Sequence, residues 1–364
     1  MTSLRRFSRF SLAVFALLVG WTLFAQFEVG NKSRHDIFSP YDPAITPLHY
    51  SWGLKATSLD DLAYIGSFSM IFRADKASNK IQLNAVNLSR FWDIRFKSDA
   101  GVFELSPESI QCDNLRQICD VLLPKDAYLM RNKQYTLSFD FAGSINPSAM
   151  TGVYRSKFKS GSYIYSTQFE PNGIRSVFPS IDHPAAKASI AFNASVSSPG
   201  YHVLSNGQET SRIGAVTSFK ETPPMSTYLF AFVISNLNFV RLIIKYHNQE
   251  VPIRVFYDTF KHEEYARSVL LSTYEIMARL EAQFPIAFPI DKIDLVPVPR
   301  FGGEGMENLG LIIFEEDLLL TEKSMDRDLL IAHEIVHHFF GDSVTGQDWT
   351  DMYDFILFLL VTDK

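Results

Sequence analysis

Two histidines and a glutamate, His333, Glu334 and His337, stand in the order H-E-x-x-H within residues 329–349, LLIAHEIVHHFFGDSVTGQDW. Residues four apart on a helix lie on one face, so both imidazoles reach a single ion at about 2.0–2.1 Å. Glu334, beside the first histidine, is placed to take a proton from an attacking water as general base. The flanks predict a buried helix: Leu329, Leu330, Ile331, Ile335, Val336, Phe339 and Phe340 surround the polar trio, and Gly341 supplies a stop. A polar trio inside an apolar helix needs a partner, and a cation supplies one. The bland alternative is a chance match whose histidines simply hydrogen-bond within a core.

The rest of the chain must position that helix. At 364 residues it allows two or three domains, and 46% hydrophobic against 20% charged residues leaves ample core. Aromatic content of 14%, including 31 Phe and 15 Tyr, favours β-rich packing for part of it. A net charge of −6, with no basic patch of the kind that grips phosphates, argues against a nucleic-acid partner. Residues 48–238 show short alternating runs, as at 67–73, 80–88, 135–141, 188–196 and 225–234, divided by turn signals such as Ser198-Pro199-Gly200 and Ser205-Asn206-Gly207. Many short strands without intervening helices predict a β-sandwich-like N-terminal domain. Within it Gln168 and Glu170 fall on one strand face, where such residues are ordinarily solvated.

From 239 onward the texture changes. Residues 242–256 predict strands, and 262–284 predict a helix with Tyr265, Val269, Tyr274, Met277 and Leu280 in its core stripe. Residues 293–298 predict a short buried strand, followed by the Gly-rich FGGEGMEN of 301–308 and another strand at 309–314. Strands and helices mixed around H-E-x-x-H predict that 239–364 is the first part of an α/β thermolysin-like metallopeptidase domain.

Upstream, Arg5, Arg6 and Arg9 precede 10–27, an 18-residue run without a charge. A membrane span takes about 17–25 residues, and basic residues on the short side keep that side cytoplasmic. The expectation is a cytoplasmic tail at 1–9, an uncleaved signal anchor at 10–27, a Pro-bearing stalk at 28–47, and an extracellular or lumenal remainder. Cleavage after Ala25 would instead release a secreted protein, although it puts bulky Leu23 three residues back. Export fits the N-x-S/T sequons at Asn31, Asn87 and Asn193. In an oxidising compartment Cys112 and Cys119 are expected to pair, with modest stabilisation from so short a loop.

Three separated segments, in the same order, resemble the aminopeptidase N-type, gluzincin zinc aminopeptidases. TQFEPNGIRSVFPSIDHPAAKAS at 167–189 is similar to the family's T-Q-F-E-P…A-R…F-P-C-F-D-E-P-x-x-K-A. PIDKIDLVPVPRFGGEGMENLGLIIFEE at 289–316 is similar to the segment ending in G-A-M-E-N-W-G-L-I, and HEIVHHFFGDSVTGQDW at 333–349 to H-E-x-x-H-x-W-F-G-N-x-V-T…W. The resemblance implies removal of N-terminal residues from peptides with a free α-amine, at one zinc ion. His333 and His337 would be ligands, Glu334 the general base, and Glu307 the partner of the amine. Gly305, Met306 and Asn308 would line the adjoining wall and offer backbone groups. Gln168 and Glu170 would reach from the β domain to the first side-chain pocket and the amine.

The chain departs from that pattern in three places. Ser180-Ile181-Asp182-His183-Pro184 replaces Cys-Phe-Asp-Glu-Pro, a change expected to affect packing. Glu304 and Gly305 replace the Gly-Ala before Met-Glu-Asn, which puts a charge where substrate would pass. Ile356 stands nineteen residues after His337, where the family carries its third ligand, a glutamate. Asp354, two residues away on a helix, is turned about 200° from that face. The similarity stops at Tyr353, and the family's transition-state tyrosine would lie beyond Lys364, as expected of an alternative exon, a retained intron or a truncated gene model. Two readings follow: an incomplete zinc aminopeptidase with weakly held zinc, or a catalytically incompetent relative or splice form that binds peptides or a partner.

Overall fold

Period-two alternation of apolar and polar side chains builds the first half of the described chain, residues 44–349 of the computed structural model. Strands β1 (Ile45–Ala56) and β2 (Ala63–Ala74) pair antiparallel, and on β2 Tyr64, Phe68, Met70 and Phe72 turn inward between exposed neighbours. There follow β3 (Lys80–Asn84), β4 (Ser89–Ser98), β5 (Gly101–Leu105), β6 (Ile110–Asp113), β7 (Ile118–Leu122) and β8 (Gln134–Ser144). Next come β9 (Gly152–Lys157), β10 (Tyr163–Gln168), β11 (Ser189–Val196), β12 (His202–Ser205), β13 (Glu209–Ile213), β14 (Val216–Phe219) and β15 (Phe232–Ser235).

These strands form an eight-stranded sheet, β13-β14-β11-β1-β2-β8-β4-β5, a four-stranded sheet, β12-β15-β10-β9, and a small third sheet, β3-β7-β6. Aromatic rings fill the space between the two larger sheets. Phe192 of β11 stacks on Phe232 of β15 at 5.4 Å, and Trp52 of β1 stacks on Phe178 at 4.9 Å with Phe230 edge-on at 5.0 Å. This is the sandwich that the alternation predicts. Cys112 and Cys119 face each other across the β6–β7 pair and are joined as a disulfide.

Three expectations need correction, and the first is Tyr274, which is exposed and not part of the core stripe of the helix predicted at 262–284. Residues 225–234 are not one strand: Thr227–Leu229 form a 3-10 turn before β15. The whole stretch is buried, and an unbroken apolar run carries no period to mark the turn. β1 also begins at Ile45, inside the range given to a stalk. Its Pro47 pairs only with β2, because β11 joins from His49 onward, so the missing N–H falls on an open edge. The tail, the anchor at 10–27, Asn31, Asp354 and Ile356 lie outside the described residues. Among the described residues no helix is long and apolar enough to cross a membrane.

The second half is α/β. β16 (Asn238–Tyr246) and β17 (Gln249–Tyr257) form a hairpin through His247 and Asn248, both left-handed at φ 42 and 67°. α1 (Glu263–Gln283) then crosses over to β18 (Ile293–Val298), which lies parallel to β17. β19 (Gly305–Met306) and β20 (Leu311–Glu315) complete a five-stranded sheet, β16-β17-β18-β20-β19. All six residues of β18 are buried, as expected of a strand flanked by two parallel neighbours. After α2 (Glu316–Leu319) comes α3 (Met325–His337), which carries the H-E-x-x-H. Its N-cap Ser324 accepts from the Arg327 amide, and Asp326 and Asp328 oppose the helix dipole.

A buried ion pair fixes the chain just after β10. Arg175 Nε donates to Asp182 Oδ2 at 2.6 Å, and Thr227 Oγ1 donates to Asp182 Oδ1 at 2.9 Å. The Asp182 amide donates to Asn84 Oδ1 at 3.0 Å, tying in the third sheet. Removing one partner strands a buried charge, so Arg175→Met is expected to cost about 3–5 kcal/mol by urea denaturation. Adding Asp182→Asn should recover part of the loss, and equal stability of Arg175→Met and the parent would refute the bracing role.

Candidate active site

The last turns of α3 bring the two histidines together. His333 and His337 Nε2 lie 3.0 Å apart, with their rings nearly perpendicular at 86°. His337 Nδ1 donates to the Phe340 carbonyl at 3.0 Å, which leaves the lone pair on Nε2. Burial pushes this imidazole down to about 4, so it is neutral at neutral pH and able to ligate. Gly341, at φ +127°, closes the turn; a Cβ there would lie 2.9 Å from His337 Nδ1. The residues present fit a divalent cation. Two nitrogens bound tetrahedrally at about 2.0–2.1 Å sit about 3.3 Å apart, so a small parting of the rings admits an ion in place of the shared proton. The described residues supply these two nitrogens and no third ligand beside them.

The rest of the motif closes round them. Gly305 of β19 lies against Glu334 so tightly that a Cβ would fall 2.3 Å from Glu334 Oε1. The departure from alanine here therefore makes room for the glutamate side chain to lean on the backbone. Glu334 is buried, and burial pushes its carboxyl well above the usual range, with Glu307, Glu170 and Glu304 pushing the same way. Burial likewise raises Glu170, helped by the charge of Glu307. Glu307 is raised by burial too, against the opposing pull of its own backbone N–H and of His333. Glu304 itself is exposed. The result is a corner of acidic groups, buried at Glu334 and Glu307 and half-buried at Glu170, with a demand for cations.

The β domain also borders this segment. Gln168 ends β10 and its Nε2 donates to Met306 Sδ at 3.6 Å, linking the sandwich to the β19 segment. Gln168 Oε1 and both side-chain polar atoms of Asn308 are buried without a hydrogen-bond partner among the described residues. Buried polar groups left in this way call for a partner. Lys187 Nζ donates to the Asp342 and Ser343 carbonyls, each at 2.9 Å, and pins the turn after α3 to the β domain.

Sequence reasoning missed two neighbours. Tyr228 is buried in the 3-10 turn, packs against Trp349 with ring centroids 5.1 Å apart and planes tilted by 60°, and is held protonated by burial and by Glu307, Asp342 and Glu170. Asp342 is raised by burial and Glu307, and only Lys187 opposes the shift. Neither has a pattern of its own, since one hides in an apolar run and the other in a turn. His338 also braces the site: its Nε2 accepts from the Gly310 amide at 2.9 Å, just after the Met306-Glu307-Asn308 segment. Asn87 and Asn193 are exposed.

Comparison with known proteins gives two consecutive matches: the Peptidase M1 N-terminal domain over residues 46–229 and the Peptidase family M1 domain over 269–354. Aminopeptidase 2 of Candida albicans is 30% identical over 327 residues, covering 85% of this chain and 33% of that protein. Aminopeptidase Q of Acinonyx jubatus is 29% identical over 341 residues, with 85% and 34% covered. Aminopeptidase Q of Mus musculus is 30% identical over 346 residues, with 85% and 60% covered. The chain thus spans about one third of the first two relatives and more of the mouse one.

Proposed function

The chain belongs to peptidase family M1, and from that premise we propose that it carries the zinc-binding, water-activating and amine-recognising part of an aminopeptidase. The observation that carries this reading is the convergence of His333 and His337 beside a group of carboxyls, Glu334 and Glu307 buried and Glu170 half-buried. His333 and His337 hold one zinc ion, which when bound polarises the scissile carbonyl and makes water more acidic. Glu334 takes the proton from the attacking water and passes it to the leaving amine. Glu307 and Glu170 grip the substrate ammonium, which fixes the first peptide bond at the metal and makes the cleavage exopeptidic. Gly305, Met306, Asn308 and Gln168 form the wall along the peptide.

Ile356 replaces the family's ligating glutamate, so zinc is held weakly and turnover by a polypeptide of this sequence is low. The same residue favours a second reading, a family member that binds peptides or a partner without cleaving them. In either reading 10–27 anchors the chain, with Asn31, Asn87 and Asn193 on the glycosylated side.

The test loads the purified protein with zinc and compares a short peptide with its N-acetylated form. Release of the first residue from the free-amine peptide alone supports the enzyme, and amine-dependent binding without release supports the second reading. Cleavage of both peptides alike contradicts amine recognition. Glu307→Gln is expected to weaken free-amine peptides about 10–100-fold, the worth of a charge-assisted hydrogen bond, read as KM or Kd. An unchanged value would remove Glu307 from amine recognition.

A further inference from the structure

A second group of ligand-type side chains lies apart from the two histidines of α3. Asp258 follows β17, His262 ends the 3-10 turn Phe260–His262 that leads into α1, and Glu316 opens α2 directly after β20. β17 and β20 both run parallel to β18, so the fold gathers these residues at the end of the sheet where those strands finish. The Asp258 and Glu316 side chains are 2% and 4% exposed, and His262 is 29% exposed. His262 Nδ1 lies 2.6 Å from Asp258 Oδ1 and 3.8 Å from Glu316 Oε1, and one ligand atom from each residue falls within 4.8 Å of the others.

A plain Asp–His hydrogen bond accounts for only one of the two carboxylates. Glu316 Oε1 is buried and has no hydrogen-bond partner among the described residues, yet it points toward His262. Burial raises its carboxyl, and the charge of Asp258 adds to the shift. His262 and Lys159 pull the other way, but Lys159 is exposed and its ammonium is engaged at the surface by Asp317 at 2.8 Å. Two buried acids face each other across a single imidazole, which can carry at most one positive charge and so cannot balance both carboxylates.

We infer that Asp258, His262 and Glu316 form a second divalent-cation site of the zinc class, independent of His333 and His337. One imidazole with two carboxylates suits a zinc-like ion, whereas calcium takes six to eight oxygens. An ion about 2.0–2.2 Å from each ligand requires ligand atoms about 3.3–3.6 Å apart. The closest pair therefore parts and the outer pair draws in, with the ion replacing the proton shared by Asp258 and His262. The exposed edge of His262 leaves a position for water. The ion would join the ends of β17 and β20 next to Glu315, whose carboxylate accepts from the Arg300 and Phe301 amides at 3.2 and 2.7 Å. Those contacts hold the loop that runs into Gly305, so the ion is a structural brace behind the substrate wall.

The test titrates Zn2+ into the full chain carrying His333→Ala and His337→Ala, and follows heat and melting temperature. One equivalent should still bind and raise the melting temperature, and Ca2+ should do neither. Adding Glu316→Gln or, separately, His262→Ala should lower the Zn2+ affinity at least 100-fold. His262→Ala changes a partly exposed side chain, and the metal-free melting temperature of each variant shows whether it has folded. In the chain with both α3 histidines intact, His262→Ala should reduce zinc bound at saturation from two equivalents to one. Absence of zinc uptake in the histidine-free background overturns the site, as does uptake unaffected by both substitutions. An equal response to Ca2+ overturns the ion class.

Discussion

Glu334→Gln is expected to lower peptide turnover by about 10²–10⁴-fold, the worth of a positioned general base, while bound zinc stays unchanged. Stability separates this outcome from simple damage. Glu334 is buried among Glu307, Glu170 and Glu304, and its ionised form is disfavoured there. Glutamine keeps the shape and removes the charge, so the melting temperature should hold or rise. Loss of turnover with a fall in melting temperature would point to misfolding. Unchanged turnover would take Glu334 out of the chemistry.

His337→Ala should release zinc from α3. Changes to groups that merely orient a ligand cost about 10–100-fold in affinity, and removal of a ligand itself should exceed about 100-fold. The effect is large here because the described residues supply only two nitrogens, so one loss leaves a single imidazole. His337 also contacts the Phe340 carbonyl through Nδ1, but that carbonyl sits at a half-exposed residue and can turn to solvent. Stability should therefore change little beside the loss of metal. Zinc affinity of the α3 site measured by competition with a chelator checks this, and retention within tenfold of the parent would contradict ligation by His337.

The chemistry was legible in the sequence where a short spacing stood for a geometry. H-E-x-x-H places two imidazoles on one helical face, and the rings do converge. The alternation of β2 reads directly as one buried and one exposed face. Legibility failed where burial erased the period, as at 225–234, where a turn carries Tyr228 toward the acidic corner. It failed again where partners come from distant elements. Nothing near Asp258 marks Glu316 as its neighbour; the β17–α1–β18 crossover and β20 bring them together. Gly305 could be read only as a departure from alanine, and its contact with Glu334 appears once β19 is docked on α3.

The central claim is that a zinc held by His333 and His337 sits beside a carboxylate corner built for an ammonium. Binding of an amino-acid hydroxamate, a chelator that carries a free α-amine, tests both halves in one calorimetric comparison with its N-acetylated form. Binding should require zinc, and the free amine should bind at least tenfold tighter, in line with one charge-assisted hydrogen bond worth about 1.5–3 kcal/mol. Equal affinity for the two forms, or binding that persists after zinc is stripped, would contradict the account.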